Sequence, residues 1–179
     1  MRTLKTQGII LKRKNIGEAD KIITVMTAQE GKIQLIAKGI RRVTSRRSPH
    51  VELLNLSTLF LYKGKTFPIL IEAQVIHDFA DVKKDLRKIG FAYHLCELID
   101  ALCPEGAKNE RAFKLLKNAL SFLSITEDED RFASEFEQSL LEILGFLPYQ
   151  KKLTSNYLFI EQILERKLKS KRLISSFSS

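Results

Sequence analysis

The hydrophobic residues of this chain change their spacing once, near residue 80, and that change limits the folds it can adopt. Before it, β-branched runs such as KIITVMT (residues 21–27) alternate with short turns, a pattern typical of strands. After it, apolar residues recur every three or four positions, as in Leu86, Ile89, Tyr93 and Cys96, which predicts amphipathic helices. We therefore predict an α+β chain, with a β domain over residues 1–80 and a helical domain over residues 81–179.

Five strand-like runs precede residue 80, and their order predicts a small barrel. The runs cover residues 8–12, 21–27, 32–37, 53–62 and 68–76. Gly31 lies in the turn between the second and third runs, where a residue free to take positive φ is useful. Lys63-Gly64-Lys65 is predicted to form a hairpin turn between the last two runs. Five strands with a longer connection after the third are typical of a five-stranded OB-fold β-barrel.

The second part of the chain is predicted to form four helices. Asp81 is a predicted N-cap of the first helix and Asn109 of the second. Thr126 and Glu129 have the spacing of a capping box for the third. A fourth helix is predicted from about residue 156 to about residue 170, and we expect the tail RLISSFSS after it to fray.

Positive charge is concentrated in the predicted β domain. The chain has 30 Lys and Arg against 21 Asp and Glu, a net charge of +9, and residues 1–80 hold 14 of the basic residues but only six of the acidic ones. The most basic part, which we call the basic stretch, lies between residues 31 and 51 and contains no acid. Its basic residues are Lys32, Lys38, Arg41, Arg42, Arg46 and Arg47.

A basic stretch that follows a strand on a small β domain indicates a site for a polyanion, and nucleic acid is the commonest polyanion in a cell. Lys12, Arg13, Lys14 and Lys21 add charge to the same domain. The chain has no Trp, and the β domain has few aromatic residues on which bases could stack. We therefore expect phosphate contacts, with sequence-tolerant and salt-dependent binding. A solvated loop without a ligand is the alternative interpretation.

No catalytic or metal-binding motif is visible. The chain lacks a G-x-x-x-x-G-K-[ST] loop and a G-x-G-x-x-G motif, and its three histidines are scattered. Cys96 and Cys103 are roughly 10 Å apart on a helix, too far for a disulfide with each other, and they form no zinc-binding pair. We expect no enzyme activity, no cofactor and no metal. No apolar run is long enough for a membrane helix or a signal peptide, so we expect a cytoplasmic protein without membrane contact.

The order of motifs resembles the RecO family of bacterial DNA-repair proteins. The segment GIILKRKNIGEADKIITVMTAQEGKIQLIAKGIRR is followed by SRR, by LYKGK and by a strand that ends in EAQVI. Further on, LLEILGFLP is similar to the segment before the family's zinc module. The resemblance covers roughly residues 5–150.

The resemblance implies an N-terminal OB-fold, a helical domain and a non-enzymatic role as a mediator of homologous recombination. Members of the family bind single- and double-stranded DNA, work with RecR, engage the single-strand-binding protein, help to load RecA and anneal complementary strands. The positions implied to bind DNA are Lys38, Arg41, Arg42, Arg46 and Arg47. We extend this prediction to Lys12, Arg13, Lys21 and Lys32.

One segment departs from the family. Many members carry a four-cysteine zinc module after the LGFLP-like segment, whereas YQKKLTSNYLF follows here and contains no cysteine. An amphipathic helix with a basic end is predicted in its place. In the helical domain, six basic residues are candidates for the rim of a groove that takes the acidic tail of the single-strand-binding protein, or else form a plain solvated face. These residues are Lys83, Lys84, Arg87, Lys88, Lys114 and Lys117.

Two other functions remain open from the sequence. An RNA-binding OB-fold protein would use the same phosphate contacts, because these contacts do not distinguish the sugar. A helical adaptor would carry the basic stretch without any nucleic-acid role and would show no affinity for nucleic acid at low salt.

Overall fold

The computed structural model describes residues 3–177 and opens with a closed five-stranded barrel. Its strands are β1 (Thr3–Ile16), β2 (Asp20–Thr27), β3 (Gly31–Ala37), β4 (Leu56–Tyr62) and β5 (Ile69–His77). They are hydrogen-bonded in the order β1-β2-β3-β5-β4, and β4 returns to pair with β1. All pairs are antiparallel except β3 with β5, which are parallel through Ile36 and Ile69. The predicted five-stranded OB-fold and the α+β class are confirmed.

β1 is longer than the sequence predicted and closes the barrel. It runs for 14 residues because its first half pairs with β4 and its second half with β2. The register with β2 shifts between Ile10 and Lys12, and such a bulge bends a strand from one partner toward the next. The predicted run, residues 8–12, covers only the middle of β1, where Gly8 and Ile9 pair with both neighbours.

Aliphatic side chains from all five strands fill the barrel. Each buried side chain of this kind contributes about 1.5–3 kcal/mol relative to an exposed one. The cluster includes Ile10, Ile23, Val25, Leu35, Leu59, Leu61 and Leu70. A short 3₁₀ turn, Ser48–Val51, lies in the connection between β3 and β4 and adds Val51 to this core.

Six helices follow the barrel within residues 3–177. They are α1 (Ala80–Lys83), α2 (Leu86–Leu102), α3 (Glu110–Leu123), α4 (Glu129–Ile143), α5 (Asn156–Leu164) and α6 (Ser170–Phe177). Asn109 caps α3 as predicted, since its Oδ1 accepts a hydrogen bond from the Ala112 N–H at 2.9 Å. No helix among these residues is long and apolar enough to cross a membrane.

Two predicted N-caps are wrong. Asp85, in extended backbone, caps α2 by accepting from the N–H groups of Arg87 and Lys88, so Asp81 lies instead in the separate short helix α1. Asp128 caps α4, whereas Glu129 is buried and bonded to Arg87, 42 positions away. In both places a neighbouring carboxylate with better geometry, or a distant ion pair, outweighs the local motif.

The predicted fourth helix is interrupted. Glu165 takes a left-handed conformation with φ of 53° and ends α5, and α6 begins at Ser170. Carboxylates hold the intervening segment out of a helix: Glu161 accepts from the Leu168 N–H, and Glu97 from those of Lys169 and Ser170. The tail expected to fray is therefore helical up to residue 177, and its last two residues lie outside the described part of the chain.

The described residues divide into two compact units. The barrel unit comprises the residues up to Asp78 together with Pro104–Phe113, and the helical unit comprises Phe79–Cys103 with the residues from Lys114 onward. Within the barrel unit, the Gly106 N–H donates to the Lys32 carbonyl at 2.8 Å. A Cβ on Gly31, where φ is +72°, would meet the Ala107 carbonyl, so this approach requires glycine.

Charged and polar groups tie the last part of the helical unit to α2. Besides the two backbone N–H groups, Glu97 accepts from the Arg166 guanidinium at 3.1 Å. Burial alone would raise the pKa of Glu97, but hydrogen bonds from Ser170, Lys169 and Arg166 outweigh it and lower that pKa to about 2. His94 is buried between Glu137 (2.7 Å) and Ser170 (2.8 Å). We call the contacts of Glu97 and Glu161 with residues 166–170 the C-terminal clasp.

Candidate nucleic-acid interface

The connection after β3 folds back on the barrel as an ordered loop. We call residues 38–47 the basic loop. The Asp20 carboxylate accepts a hydrogen bond from the Gly39 N–H at 2.7 Å, and the Arg41 N–H donates to the Ala19 carbonyl at 3.0 Å. Inside the loop, the Arg42 N–H donates to Gly39 and the Ser45 N–H to Arg42. These bonds fix the loop to the turn between β1 and β2.

Arg47 is the anchor at the other end of the basic loop. Its guanidinium donates to the Leu70 carbonyl at 2.7 Å and to the Lys38 carbonyl at 2.6 Å. Charge-assisted bonds of this kind contribute about 1.5–3 kcal/mol each. The predicted DNA-binding residue Arg47 is thus engaged by the barrel itself, and what it offers a ligand is its charge and its remaining N–H donors.

Three other cations of the basic loop are exposed and unpaired among the described residues. Lys38, Arg42 and Arg46 are exposed, and their side chains have no hydrogen-bond or ion-pair partner in the described part of the chain. Together with Arg47 they line one cavity of about 510 Å³. Arg41 is also exposed, but it lies outside that cavity and makes one long bond of 3.4 Å to the Gly17 carbonyl. Four predicted site residues therefore meet in one cavity.

Gly39 permits this arrangement of the basic loop. Its φ is +65°, a region that other residues adopt only with strain. The Arg42 side chain runs across its bare backbone, 3.7 Å from where a Cβ would be. The loop conformation that gathers the cations therefore depends on glycine at this position.

Arg13 and Lys21 lie together, near the end of β1 and the start of β2, and both are partly buried in the barrel. Arg13 forms an ion pair with Glu52 at 3.0 Å, and its side chain is 19% exposed. Lys21 is half-buried, and burial, followed by the nearby Arg13, lowers its pKa. Both add positive potential beside Arg41, and Arg13 does so while paired with Glu52. Lys12 is exposed on β1 next to the bulge.

Lys32 lies apart from the cavity. It stands at the start of β3, six residues before Lys38, which corresponds to roughly 20 Å along an extended strand. Segment 104–107 runs beside it. Proximity in the sequence grouped Lys32 with the basic loop, but the strand between them separates the two.

The structure adds two basic residues that the sequence reasoning treated only as parts of a turn. Lys63 and Lys65 are exposed in the loop between β4 and β5. That loop reaches the end of β3, because the Ile36 N–H donates to the Pro68 carbonyl at 2.9 Å. The loop between β4 and β5 is a ligand-binding loop of OB-folds, so the predicted fold already pointed to these residues.

The candidate rim in the helical unit is largely paired. Arg87 bonds to Glu129 at 3.1 Å and to Asp130 at 2.8 Å, Lys84 pairs with Asp81, and Lys88 donates to the Ser124 carbonyl. Lys83 and Lys114 also have partners. Among the six, these five are engaged within the fold, which favours the interpretation of a structural, solvated face.

Metal ligands do not gather in the part of the chain that the structure covers. Among residues 3–177, no three His, Cys, Asp or Glu side chains are close enough to hold a metal ion. Cys96 and Cys103 are buried free thiols, and burial, with the nearby Asp100, raises the pKa of Cys96 to about 12. A thiol that stays protonated in this way is a packing residue rather than a nucleophile.

Comparison with known families decides where this chain belongs. Residues 1–79 match the family described as Recombination protein O N terminal, and residues 83–154 match Recombination protein O C terminal. The chain belongs to the RecO family. The resemblance read from the GEADKI and AKGIRR motifs is confirmed, while α5 and α6 lie beyond the matched RecO segments.

Curated RecO relatives match most of this chain. The DNA repair protein RecO of Roseiflexus sp. (strain RS-1) is 35% identical over 147 residues, 82% of this chain and 52% of the relative. That of Acetivibrio thermocellus is 35% identical over 150 residues, 83% of this chain and 60% of the relative. That of Dehalococcoides mccartyi is 34% identical over 162 residues, 86% of this chain and 64% of the relative. The chain thus spans between about half and two thirds of the length of these curated relatives.

Proposed function

We propose that this chain acts in DNA repair and homologous recombination by binding single- and double-stranded DNA through the basic loop. The observation that carries the proposal is the set of three unpartnered cations, Lys38, Arg42 and Arg46, on a loop anchored by Arg47 and Asp20. Because the backbone of the loop is already fixed, binding a phosphate immobilises only these side chains and does not have to order the loop. Membership of the RecO family supports the same function.

Arg41, Lys63 and Lys65 extend the proposed surface around the basic loop, and Lys12, Arg13 and Lys21 add potential along β1 and β2. These residues neutralise backbone phosphates and release condensed counterions. No aromatic side chain lines the cavity, so bases are not stacked there. Binding is therefore tolerant of sequence.

Strand annealing follows from the same electrostatics. Two complementary strands repel each other through their phosphates, and a bound cationic surface screens that repulsion. We further propose that the chain works with RecR to help load RecA on DNA coated by single-strand-binding protein, in the cytoplasm and without enzyme activity of its own. The family supports this role, and the helical unit is the proposed docking region for protein partners.

An annealing assay tests the proposed function. Two complementary oligonucleotides, one labelled, are mixed with the protein, with and without single-strand-binding protein, and duplex formation is followed over time. We expect faster annealing than without protein, and an effect that fades as salt rises from 50 to 200 mM, roughly the range over which phosphate contacts weaken strongly. Annealing no faster than in buffer would contradict the proposal.

Matched DNA and RNA oligonucleotides separate the proposal from its two rivals. Tighter binding to RNA of the same sequence and length would favour an RNA-binding OB-fold protein. No binding to either polymer at low salt would favour a helical adaptor. We expect DNA to be bound at least as tightly as RNA.

A further inference from the structure

The cavity of the basic loop is more selective in shape and chemistry than a basic surface needs to be. It measures about 510 Å³ and is open to solvent, and the backbone of the loop around it is fixed by the bonds of Asp20 and Arg47. A general phosphate-binding face needs only exposed cations. A concave site with fixed walls can instead receive one group from several sides.

The charge inside this cavity exceeds what one internal phosphate can neutralise. Lys38, Arg42 and Arg46 are unpartnered, and Arg47 adds a fourth positive charge. Asp20 is the acidic residue of the lining, and its carboxylate is bonded to the Gly39 N–H. An internal phosphodiester carries one negative charge, whereas a terminal phosphate carries about 1.5 to 2 near neutral pH. The cavity therefore favours the terminal group.

Ser45 supplies a second, independent observation. It lines the cavity, and its Oγ is buried without a hydrogen-bond partner among the described residues. A buried hydroxyl left in this state costs about 1–3 kcal/mol, and such groups call for a missing partner. The Oγ is covered in this conformation, and rotation about the Cα–Cβ bond would turn it toward the cavity, where it would donate to a phosphate oxygen.

We propose that this cavity holds the terminal phosphate of a nucleic-acid strand, a phosphomonoester dianion. The inference rests on the proposed DNA binding and gives the same site a preference for strand ends. Lys38, Arg42 and Arg46 contact the phosphate oxygens, Ser45 donates to one of them, and Arg47 holds the wall while adding its charge. The absence of aromatic residues from the lining leaves the terminal base outside.

Short oligonucleotides that differ only in their ends test the inference. One sequence is prepared with a 5′-phosphate, with a 3′-phosphate and with hydroxyls at both ends, and affinity is measured by fluorescence anisotropy on the full chain. At least one phosphate-ended form is expected to bind roughly tenfold more tightly than the hydroxyl-ended form, which corresponds to one further charge-assisted hydrogen bond. Inorganic phosphate is expected to remove this preference before it abolishes binding.

Variants of the basic loop test whether the preference for phosphate-ended oligonucleotides arises in the cavity. Arg42→Gln combined with Arg46→Gln is expected to erase the preference for phosphate ends. Ser45→Ala is expected to reduce it several-fold without altering the response of binding to salt. Arg41→Gln removes the same charge from the same loop outside the cavity, so it is the matched control and should weaken all three oligonucleotides equally.

Failure of the inference is distinct from failure of the proposed function. Equal, salt-dependent affinity for the three oligonucleotides would overturn the end preference and leave general DNA binding in place. Binding of inorganic phosphate with no preference among the ends would likewise overturn a strand-end site. No affinity for any of the oligonucleotides would overturn both.

Discussion

The basic loop and the helical unit contain the same kinds of cation but use them in opposite ways. In the helical unit, Arg87, Arg131 and Arg166 each face a carboxylate at about 3 Å. In the basic loop, Lys38, Arg42 and Arg46 form no ion pair with any residue that the structure describes, although Asp20 lines the same cavity. A cation that is paired within the fold contributes to stability and is not available to a ligand. An unpaired cation adds little to stability, but its charge and its N–H donors are available to a ligand.

The comparison shows that the number of basic residues does not locate a binding site. The sequence offered two sets, the basic stretch and the rim in the helical unit. The two sets differ in whether their side chains are paired. In the rim, Arg87 forms ion pairs with the nearby carboxylates of Glu129 and Asp130. Beside the basic loop, the Asp20 carboxylate that lines the cavity is bonded to the Gly39 backbone N–H instead.

Removing three positive charges from each region in turn should give the largest difference between the regions in DNA affinity and in stability. Replacing Arg41, Arg42 and Arg46 with Gln is expected to lower DNA affinity by on the order of a hundredfold, because three phosphate contacts are lost. Replacing Arg87, Arg131 and Arg166 with Gln should leave affinity within about twofold but lower the free energy of unfolding by about 1–3 kcal/mol. Anisotropy titrations and urea unfolding of both variants measure the two effects, and the same loss of affinity in both would break the comparison.

The C-terminal clasp gives a pH-dependent prediction. The pKa of Glu97 is lowered to about 2 in the folded chain, below the ordinary value of 4.5. Its contribution to stability is therefore complete above about pH 4.5 and is lost as pH falls toward 2. Glu97→Gln should destabilise the helical unit by about 1–3 kcal/mol at pH 7, and urea unfolding should show this difference shrinking below pH 4.5.

Hydrogen exchange locates the effect of Glu97. Amides of residues 166–177 should exchange faster in Glu97→Gln, because the Lys169 and Ser170 N–H groups bond to different oxygens of Glu97 and glutamine keeps only one of these, without the charge. Glu135→Gln is the matched control, since Glu135 pairs with Arg131 at an exposed site and bonds to no residue of that segment. A difference between wild type and Glu97→Gln that stays constant from pH 7 to pH 3 would contradict the assignment.

Arg46 and Arg47 are adjacent, but we expect Arg46 to contact DNA and Arg47 to anchor the basic loop to the barrel. Replacing each in turn should distinguish the two roles. Arg47→Gln is expected to cost about 1–3 kcal/mol of stability and to expose the amides of residues 38–47, because the bonds to Leu70 and Lys38 are lost. Arg46→Gln should leave stability within about 0.5 kcal/mol and weaken only DNA binding. Thermal unfolding and hydrogen exchange measure these effects, and equal stability of the two variants would remove the anchor role.

The smallest expected effect comes from Asp20. Asp20→Asn keeps an oxygen that accepts from the Gly39 N–H but removes a negative charge from the cavity. DNA affinity should rise by roughly threefold to fivefold at low salt, which corresponds to about 1 kcal/mol of repulsion. Reduced affinity together with faster exchange at Gly39 would show instead that the loop needs the charged acceptor.

Local patterns predicted much of the fold. The β-branched run KIITVMT marked β2, and Asn109 marked the start of α3. These features depend on residues within one element. The break at Glu165 and the cap at Asp128 were missed because Glu97, Glu161 and Arg87 act on segments far away in the chain.

The same limit applies to the candidate site. The sequence identified the basic stretch, but it could not assign different roles to Arg46 and Arg47, two identical residues in a row. Arg47 is bonded because the Leu70 carbonyl, 23 positions further along the chain, comes within 2.7 Å of it. Lys32 was grouped with the loop because it is only six positions from Lys38. The sequence does not show that the extended strand β3 places the two far apart.

The salt dependence of DNA binding tests the central claim most directly. The slope of log affinity against log salt concentration is measured for the wild type and for the Arg41→Gln, Arg42→Gln, Arg46→Gln variant. If these unpaired cations bind phosphates, the slope should become shallower by roughly 2–3, since each contact contributes about 0.7–0.9. An unchanged slope in a variant that unfolds like the wild type would contradict the account.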